Sequence, residues 1–308
     1  MRSRVFEQLV AARGLSREYL QPKYEECLDA GLLPDVKKAA ERIRQVAKGG
    51  GKCLIYGDYD VDGVTASTAL FDVLKLVGVT EVEVMLPNRF TDGYGMSTKV
   101  VQKAVEGRVN LVLTVDCGSR NHEIVSELKK QGIDTVITDH HECGETLPEA
   151  VAIVNPKRKD VEVQTELRNL AGVGVVFKLA QELVKEGAIA AGQEKWLLDL
   201  VAIGTICDSM QLSLENRRLC HYGLLVLEKT RRPGLRELMM RAGVKELSGE
   251  TIGFQIGPRL NAAGRMESAE IALKLLMAKK RTEAAGLAGE LEQLNALRKK
   301  QQNEAMRE

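Results

Sequence analysis

Three aspartates, Asp58, Asp60 and Asp62, alternate with other residues in the stretch LIYGDYDVDGVTAS, Leu54 to Ser67. The apolar run Cys53-Leu54-Ile55-Tyr56 fits a buried strand and Val64 to Val77 fits a helix, which sets the three aspartates on the turn between them. A turn at a strand's carboxyl end aims alternate side chains at one point. No basic residue stands between Lys52 and Lys75, so three converging carboxylates repel one another strongly at low dielectric unless a cation sits among them. A divalent metal ion meets that need. The plain alternatives are a solvated Asp/Gly turn and a calcium loop. A calcium loop of the EF-hand kind requires further oxygens and a closing glutamate at set positions, and none follows here.

Two more strand ends carry the same chemistry. Asp116 closes LVLTV and is followed by Cys117-Gly118, and Asp139-His140-His141 closes IDTVIT. Taken singly, such an aspartate is more often a cap or turn former and such a histidine more often structural. Taken together, strands ending in D-x-D-x-D-G, D-C-G and D-H-H gather their aspartates and two histidines around one crevice. Oxygen-rich ligation with one or two imidazoles suits manganese or magnesium better than zinc or copper. One carboxylate shared between two ions holds them at the separation of about 4 Å used in phosphoryl hydrolysis. Asp208 follows the apolar run WLLDLVAIGTI; it fits either a cap or a carboxylate returned to the site from the far side.

These residues need a frame. The segments CLIY, EVEVMLP (81–87), LVLTVD (111–116), IDTVITD (133–139) and VAIVNP (151–156) are short apolar strands separated by helical stretches. That alternation predicts an α/β fold, a mostly parallel sheet with helices on both faces, in which ligands bind beyond the carboxyl ends of the strands. Residues 1–50 are predicted to be a helical N-terminal segment in which Asp35 caps the helix VKKAAERIRQVAKG, ending at Gly49 to Gly51. The length of 308 residues, with 44% hydrophobic and 28% charged, allows a sizeable core. A formal charge of +1 excludes a globally basic nucleic-acid binder, though not a local patch. Six cysteines without a CxxC pair indicate neither a zinc ribbon nor a disulfide framework, and no apolar stretch reaches 18 residues, so a cytoplasmic protein is expected.

Beyond Pro156 the chain turns helical, with Gly172 to Glu186 and Trp196 to Ile206 as core helices. Segment 216–245 carries Arg217, Arg218, Lys229, Arg231, Arg232, Arg236, Arg241 and Lys245 against Glu228 and Glu237. Such a run is either a solvated helix face or a surface that tracks phosphates. The stretch IGPRLNAAGR, Ile256 to Arg265, reads as a glycine-bracketed loop whose arginines suit bidentate phosphate recognition. From Ser268 onward a single long charged helix is expected.

GDYDVDG, DCG, DHH and GTICDSM, in that order, resemble the DHH phosphoesterase superfamily. NRRLCHYGLLVLEKTRRPGL and IGPRLNAAGR are similar to its RecJ-type branch of single-strand-specific 5′→3′ DNA exonucleases. The resemblance covers about residues 50 to 300. It implies a DHH phosphoesterase domain over 51–212 and a helical extension over 213–308 that holds the GPRLNAAGR stretch and the start of a connecting helix. The second lobe and oligonucleotide-binding barrel of that branch are absent, so a catalytic core is expected. It further implies two manganese ions, or magnesium in their place. Asp60 and Asp116 would bind one ion with Asp58 nearby, and Asp62, Asp116, His140 and Asp208 the other. His141 would lie beside the scissile phosphate as charge stabiliser or proton donor, with Asp139 orienting the histidines. Arg89, Arg259, Asn261 and Arg265 would grip substrate phosphates. Relatives often have histidine where this chain has Tyr56, which leaves Asp58 or water to fill that place.

The expected activity is removal of 5′-mononucleotides from single-stranded DNA, in DNA repair and recombination. The expected partner is single-stranded DNA, with a helicase or a single-strand-binding protein as companion candidates, no membrane, and a monomeric state. Two alternatives stand beside it: a small-substrate hydrolase acting on oligoribonucleotides, cyclic dinucleotides or pyrophosphate, and a replication scaffold that has lost the chemistry. The basic segment and the GPRLNAAGR stretch weigh against the first, and the complete ligand series against the second.

Overall fold

The computed structural model describes residues 4–89 and 95–306. The apolar runs form β1 (Lys52–Tyr56), β2 (Glu81–Met85), β3 (Leu111–Val115), β4 (Asp134–Thr138) and β5 (Ala152–Val154), all parallel, in the order β2-β1-β3-β4-β5. Successive strand residues point to opposite faces, and this alternation sorts the sheet into two cores. Cys53, Ile55, Leu111, Leu113, Val115, Val136, Ala152 and Val154 enter one, while Leu54, Tyr56, Val112, Ile137 and Ile153 enter the other.

Helices α1 (Arg4–Ala12), α2 (Arg17–Leu20) and α3 (Val36–Lys48) precede the sheet. The crossovers are α4 (Val61–Val77), α5 (Thr98–Glu106) and α6 (His122–Lys130), and a helical half follows: α7 (Thr165–Arg168), α8 (Gly172–Lys185), α9 (Leu198–Cys207), α10 (Leu214–Glu228), α11 (Pro233–Arg241), α12 (Gly249–Thr251), α13 (Gly257–Met266), α14 (Glu270–Met277) and α15 (Arg281–Ala305). Helix α3 buries Val36, Ala39, Ala40, Ile43 and Val46, an i, i+3, i+4, i+7 stripe. With α4 and α8 it covers the first face, and α5 and α6 cover the second. Helix α9 is buried all round from Leu198 to Thr205; its one charged residue there, Asp199, is met by Thr230 Oγ1 at 2.6 Å and by Arg232. One apolar core runs from Leu33 to Leu291, so the N-terminal segment, the sheet and the helical half share it.

Four expectations are corrected. Asp35 does not cap α3 with its side chain; it sits at φ 53°, and its carboxylate pairs with Arg158 Nη1 at 2.5 Å and Lys38 Nζ at 2.8 Å. The buried Arg158, also held by Asp160, draws it away. Helix α4 starts at Val61, because Asp60 caps it by accepting from Gly63 N at 3.0 Å; Asp62 therefore lies in the first turn and not on a loop. GPRLNAAGR is helix α13, continuous with a π-helical turn Ile252–Ile256. The long C-terminal helix is two, α14 and α15, broken at 278–280.

Several cations of the basic segment 216–245 make contacts within the fold, while Lys229 and Lys245 are exposed. Arg218 faces Glu26 at 3.6 Å, Arg232 binds Asp72 at 2.7 Å and Asp199 at 3.4 Å, Arg236 donates to Thr230 O and Arg241 to Ala285 O, while Arg231 lies 3.6 Å over the Trp196 ring. These cations tie helices together.

Candidate active site

In the strand order β2-β1-β3-β4-β5 the chain leaves β1 to one side for β2 and returns on the other for β3. The crevice beyond the carboxyl ends of β1 and β3 is thus the switch point where ligands bind in open α/β sheets. Each loop there begins with one more sheet-like bond: Gly57 N to Met85 O, Asp116 N to Thr138 O and Asp139 N to Val154 O, at 3.0–3.1 Å. The sheet register therefore sets where Asp58, Asp116 and Asp139 emerge. Asp116 itself sits at φ 59°, a left-handed conformation that costs a non-glycine residue about 1–2 kcal/mol. Its buried carboxylate is held in place at that cost.

Three sets of donor atoms come within 4.8 Å of one another: Asp58, Asp60 and Asp116; Asp62, His140 and Asp208; and Asp116, His140 and His141. His140 Nε2 lies 3.0 Å from Asp116 Oδ1, 3.6 Å from Asp208 Oδ2 and 3.7 Å from Asp62 Oδ2. Asp62 is fixed from behind by Gly172 N at 2.6 Å and Val173 N at 3.0 Å, the first N–H groups of α8, where the helix dipole favours a carboxylate. Asp208 terminates α9 and returns to the crevice, the second of the two roles its sequence allowed. Asp116 Oδ1 is buried without a hydrogen-bond partner. A buried carboxylate oxygen without a hydrogen-bond donor, with an imidazole nitrogen 3.0 Å away and further oxygens around it, fits a hard divalent cation.

Asp139 does not face the crevice. It accepts from Ser119 N, His140 N, His141 N and His141 Nδ1 at 2.8–3.1 Å and so pins both histidines. Asn155 adds a second hold, donating to His141 O at 2.9 Å and Ser119 Oγ at 2.8 Å. Neither Asn155 nor the α8 N–H pair carries a sequence signal beyond its place after a strand or before a helix. Tyr56 points into the core under α5 and donates to Gly95 O at 2.9 Å, away from the donor sets.

Burial, then the charge of Asp60, pushes Asp58 up to about 7 and Asp208 up to about 6. The same two causes, in the same order, raise Asp62, and burial followed by the charge of Asp62 raises Asp116. Burial and the His141 charge hold His140 down to about 4. The Asp139 hydrogen bond raises His141 against its burial. Burial opposes the charged form of Asp139, but the hydrogen bonds and charge of His141 outweigh it and keep that carboxyl low.

These shifts set the sign of a pH effect on the metal-free protein. A carboxyl raised in the fold, or a histidine raised in the fold, contributes stability at low pH that is lost as pH climbs through its folded value. His140 runs the opposite way, but only below the ordinary histidine value. In EDTA the melting temperature is therefore expected to fall by a few degrees between about pH 6.5 and about pH 8, and saturating manganese to flatten the slope. A flat metal-free curve would mean that the carboxylates are already compensated.

On the substrate side, Arg89 is exposed with its guanidinium 5.6 Å from the Tyr59 ring, at the rim between Asp58 and Asp60; residues 90–94 of the stretch PNRFTDGYG lie outside the described residues. Asn261 and Arg265 line a cavity of about 220 Å³ with Cys207, the neighbour of Asp208. Arg259 is turned elsewhere, in a two-pronged ion pair with Glu292 at 2.6 and 3.1 Å.

The chain is 41% identical to the single-stranded-DNA-specific exonuclease RecJ of Bacillus subtilis over 287 residues, covering 92% of this chain and 35% of that protein. It is 36% identical to the same exonuclease of Escherichia coli, covering 96% of this chain and 53% of that protein. It thus spans about a third to a half of these curated relatives. A crystal structure of exonuclease RecJ bound to manganese superposes with a TM-score of 0.82 at 34% identity, over 89% of this chain and 69% of that chain. RecJ of Thermus thermophilus in complex with Mn2+ gives 0.82 at 32% identity, over 97% of this chain and 42% of that one. The model of the DHH family, N-terminal domain, matches residues 52–205, the span that carries β1 to β5 and all but the last of the clustered carboxylates, and the chain belongs to the DHH family.

Proposed function

We propose that this chain is the catalytic core of a metal-dependent phosphodiesterase that releases 5′-mononucleotides from the 5′ end of single-stranded DNA. The observation that carries it is the buried Asp116 Oδ1, without a hydrogen-bond partner and within ligand distance of His140 at the meeting of the donor sets. Asp58, Asp60 and Asp116 would hold one ion, and Asp62, Asp116, His140 and Asp208 a second, with manganese favoured by the relatives' crystal structures and magnesium as substitute. Ions there would supply Lewis-acid activation of water and neutralise phosphoryl charge. The chain's own groups do the rest. Asp139 places the proton of His141 on Nδ1 and favours the charged ring, so its opposite edge can stabilise the departing 3′ oxygen and hand it a proton. Arg89 and Arg265 position the strand by its phosphates. The 5′→3′ direction rests on the resemblance to RecJ-type enzymes.

Residues 51–212 form the catalytic unit in this reading, and 1–50 and 213–308 support it. No helix among the described residues is long and apolar enough to cross a membrane, and the six cysteines are free. We place the protein in the cytoplasm, acting in DNA repair and recombination, with a helicase or single-strand-binding protein as companion. Because several of the 216–245 arginines pair within the fold, the ground against a small-substrate hydrolase rests chiefly on the arginine cavity. Labelled single-stranded DNA, duplex DNA and a dinucleotide, each with manganese, decide between them. Preference for the long single strand by about 10-fold or more in kcat/KM is expected, the size of one lost charge-assisted contact; a dinucleotide cleaved equally well would move the assignment to small substrates.

A further inference from the structure

Helix α13 is pressed at two points against residues that adjoin the donor carboxylates, Cys207 beside Asp208 and Tyr59 between Asp58 and Asp60. A Cβ on Gly257 would meet Cys207 Sγ at 2.4 Å, and one on Gly264 would meet Tyr59 O at 2.7 Å, so only glycine permits the approach at either end. Between them opens the cavity of about 220 Å³, lined by Cys207, Gly253, Gly257, Pro258, Asn261, Arg265 and, from α15, Arg298. No carboxylate lines it. The two guanidiniums are not neutralised by the fold. No hydrogen bond or ion pair is made by Arg265 among the described residues. Arg298 has only neutral acceptors at 3.3 Å, Asn295 Oδ1 and Gln302 Oε1, and its buried Nε has no partner.

Arg259 gives the contrast. It lies six residues before Arg265 on the same helix α13, and Glu292 of α15 accepts from its Nε and Nη2. Arg265 is exposed, but Arg298 is half-buried, and a half-buried guanidinium without an acid is costly in the free protein, a cost that an arriving anion offsets. We propose that Arg298 is a substrate-positioning residue, which with Arg265 and Asn261 forms an anion subsite on the α15 side of the metal centre that takes a phosphate of the bound strand. This rests on the phosphodiesterase reading above and extends it to a helix that the motif series does not reach. It also gives α15 a function beyond packing: the helix that neutralises Arg259 supplies its replacement about two turns further along, since Glu292 and Arg298 are six residues apart.

The test uses the full chain with Asp116→Asn, which retains the arginines without cleaving, and 5′-labelled single-stranded DNA in a fluorescence anisotropy titration at several salt concentrations. Adding Arg298→Gln is expected to weaken binding about 10-fold and to lower the salt slope by about 0.7, one phosphate contact on a single strand. Arg298→Lys should keep the slope and lose part of the affinity, since the charge survives without the fork. Arg231→Gln removes the same charge over Trp196, away from the cavity, and should leave both unchanged. In the cleaving protein, Arg298→Gln should raise KM and leave kcat within about 3-fold, a split that a merely structural role would not produce. Unchanged affinity and slope in Arg298→Gln, with DNA still bound by the parent, overturn the inference alone. A parent that neither binds nor cleaves single-stranded DNA overturns the reading beneath it and the inference with it.

Discussion

Asp116→Asn is expected to lower single-stranded-DNA hydrolysis in manganese by about 10³-fold or more and to leave the fold intact. The side chain belongs to two of the three donor sets, so its loss breaks both at once. Asparagine is the informative replacement. Position 116 holds φ 59°, and asparagine tolerates that region where alanine adds strain, so the change isolates charge from conformation. In the metal-free protein the melting temperature should hold or rise, because burial and the Asp62 charge already penalise the ionised carboxyl. The rise in melting temperature on adding manganese should shrink instead, since that shift reports affinity for the folded state. A variant that keeps more than about a tenth of the parent's turnover, against the loss expected for an essential group, would show that Asp116 does not join the sites.

The adjacent histidines should part company. His140 Nε2 stands within 3.0–3.7 Å of Asp116, Asp208 and Asp62, the position of a ligand, and burial keeps it neutral and able to bind. His140→Ala should weaken manganese affinity by about 10-fold or more. His141 is partly exposed, donates to Asp139 and is raised above the ordinary histidine value, the setting of a charged group that faces substrate. His141→Ala should cost about 10²-fold in kcat with metal affinity retained. Manganese titrations of the two variants decide the assignment, and equal losses of affinity would mean that both rings are ligands.

The aspartates and histidines were legible because each lies within a few residues of a strand end. In a parallel sheet every strand's carboxyl end falls on one side, so periodicity alone places Asp58, Asp60, Asp62, Asp116, Asp139, His140 and His141 at one edge. Short-range order did not say which strand residues face which core, because Leu111–Val115 is buried on both faces and its apolar run fits either register. It did not fix local detail where a distant group competes. Asp35 has the pattern of a cap, but Arg158, 123 residues away, takes its carboxylate. Gly257 and Pro258 open what reads as a loop, yet they continue the helical run from the π-helical turn Ile252–Ile256 into α13, with Gly257 packed on Cys207.

What the sequence by itself determined is the set of residues that bear charge at the crevice and the strands that deliver them, since both follow from spacing within one element. Tertiary structure alone decided how each charge is used. Asp62 is seated by N–H groups 110 and 111 residues further along the chain, and Asp208 reaches the crevice because α9 packs between α4, α8 and α10. The arginines are the plainest instance, for nothing in their neighbours separates Arg259, Arg265 and Arg298. A guanidinium is committed or available according to whether a carboxylate lies within about 3 Å of it, and for Arg259 that carboxylate, Glu292, comes from another helix, 33 residues on.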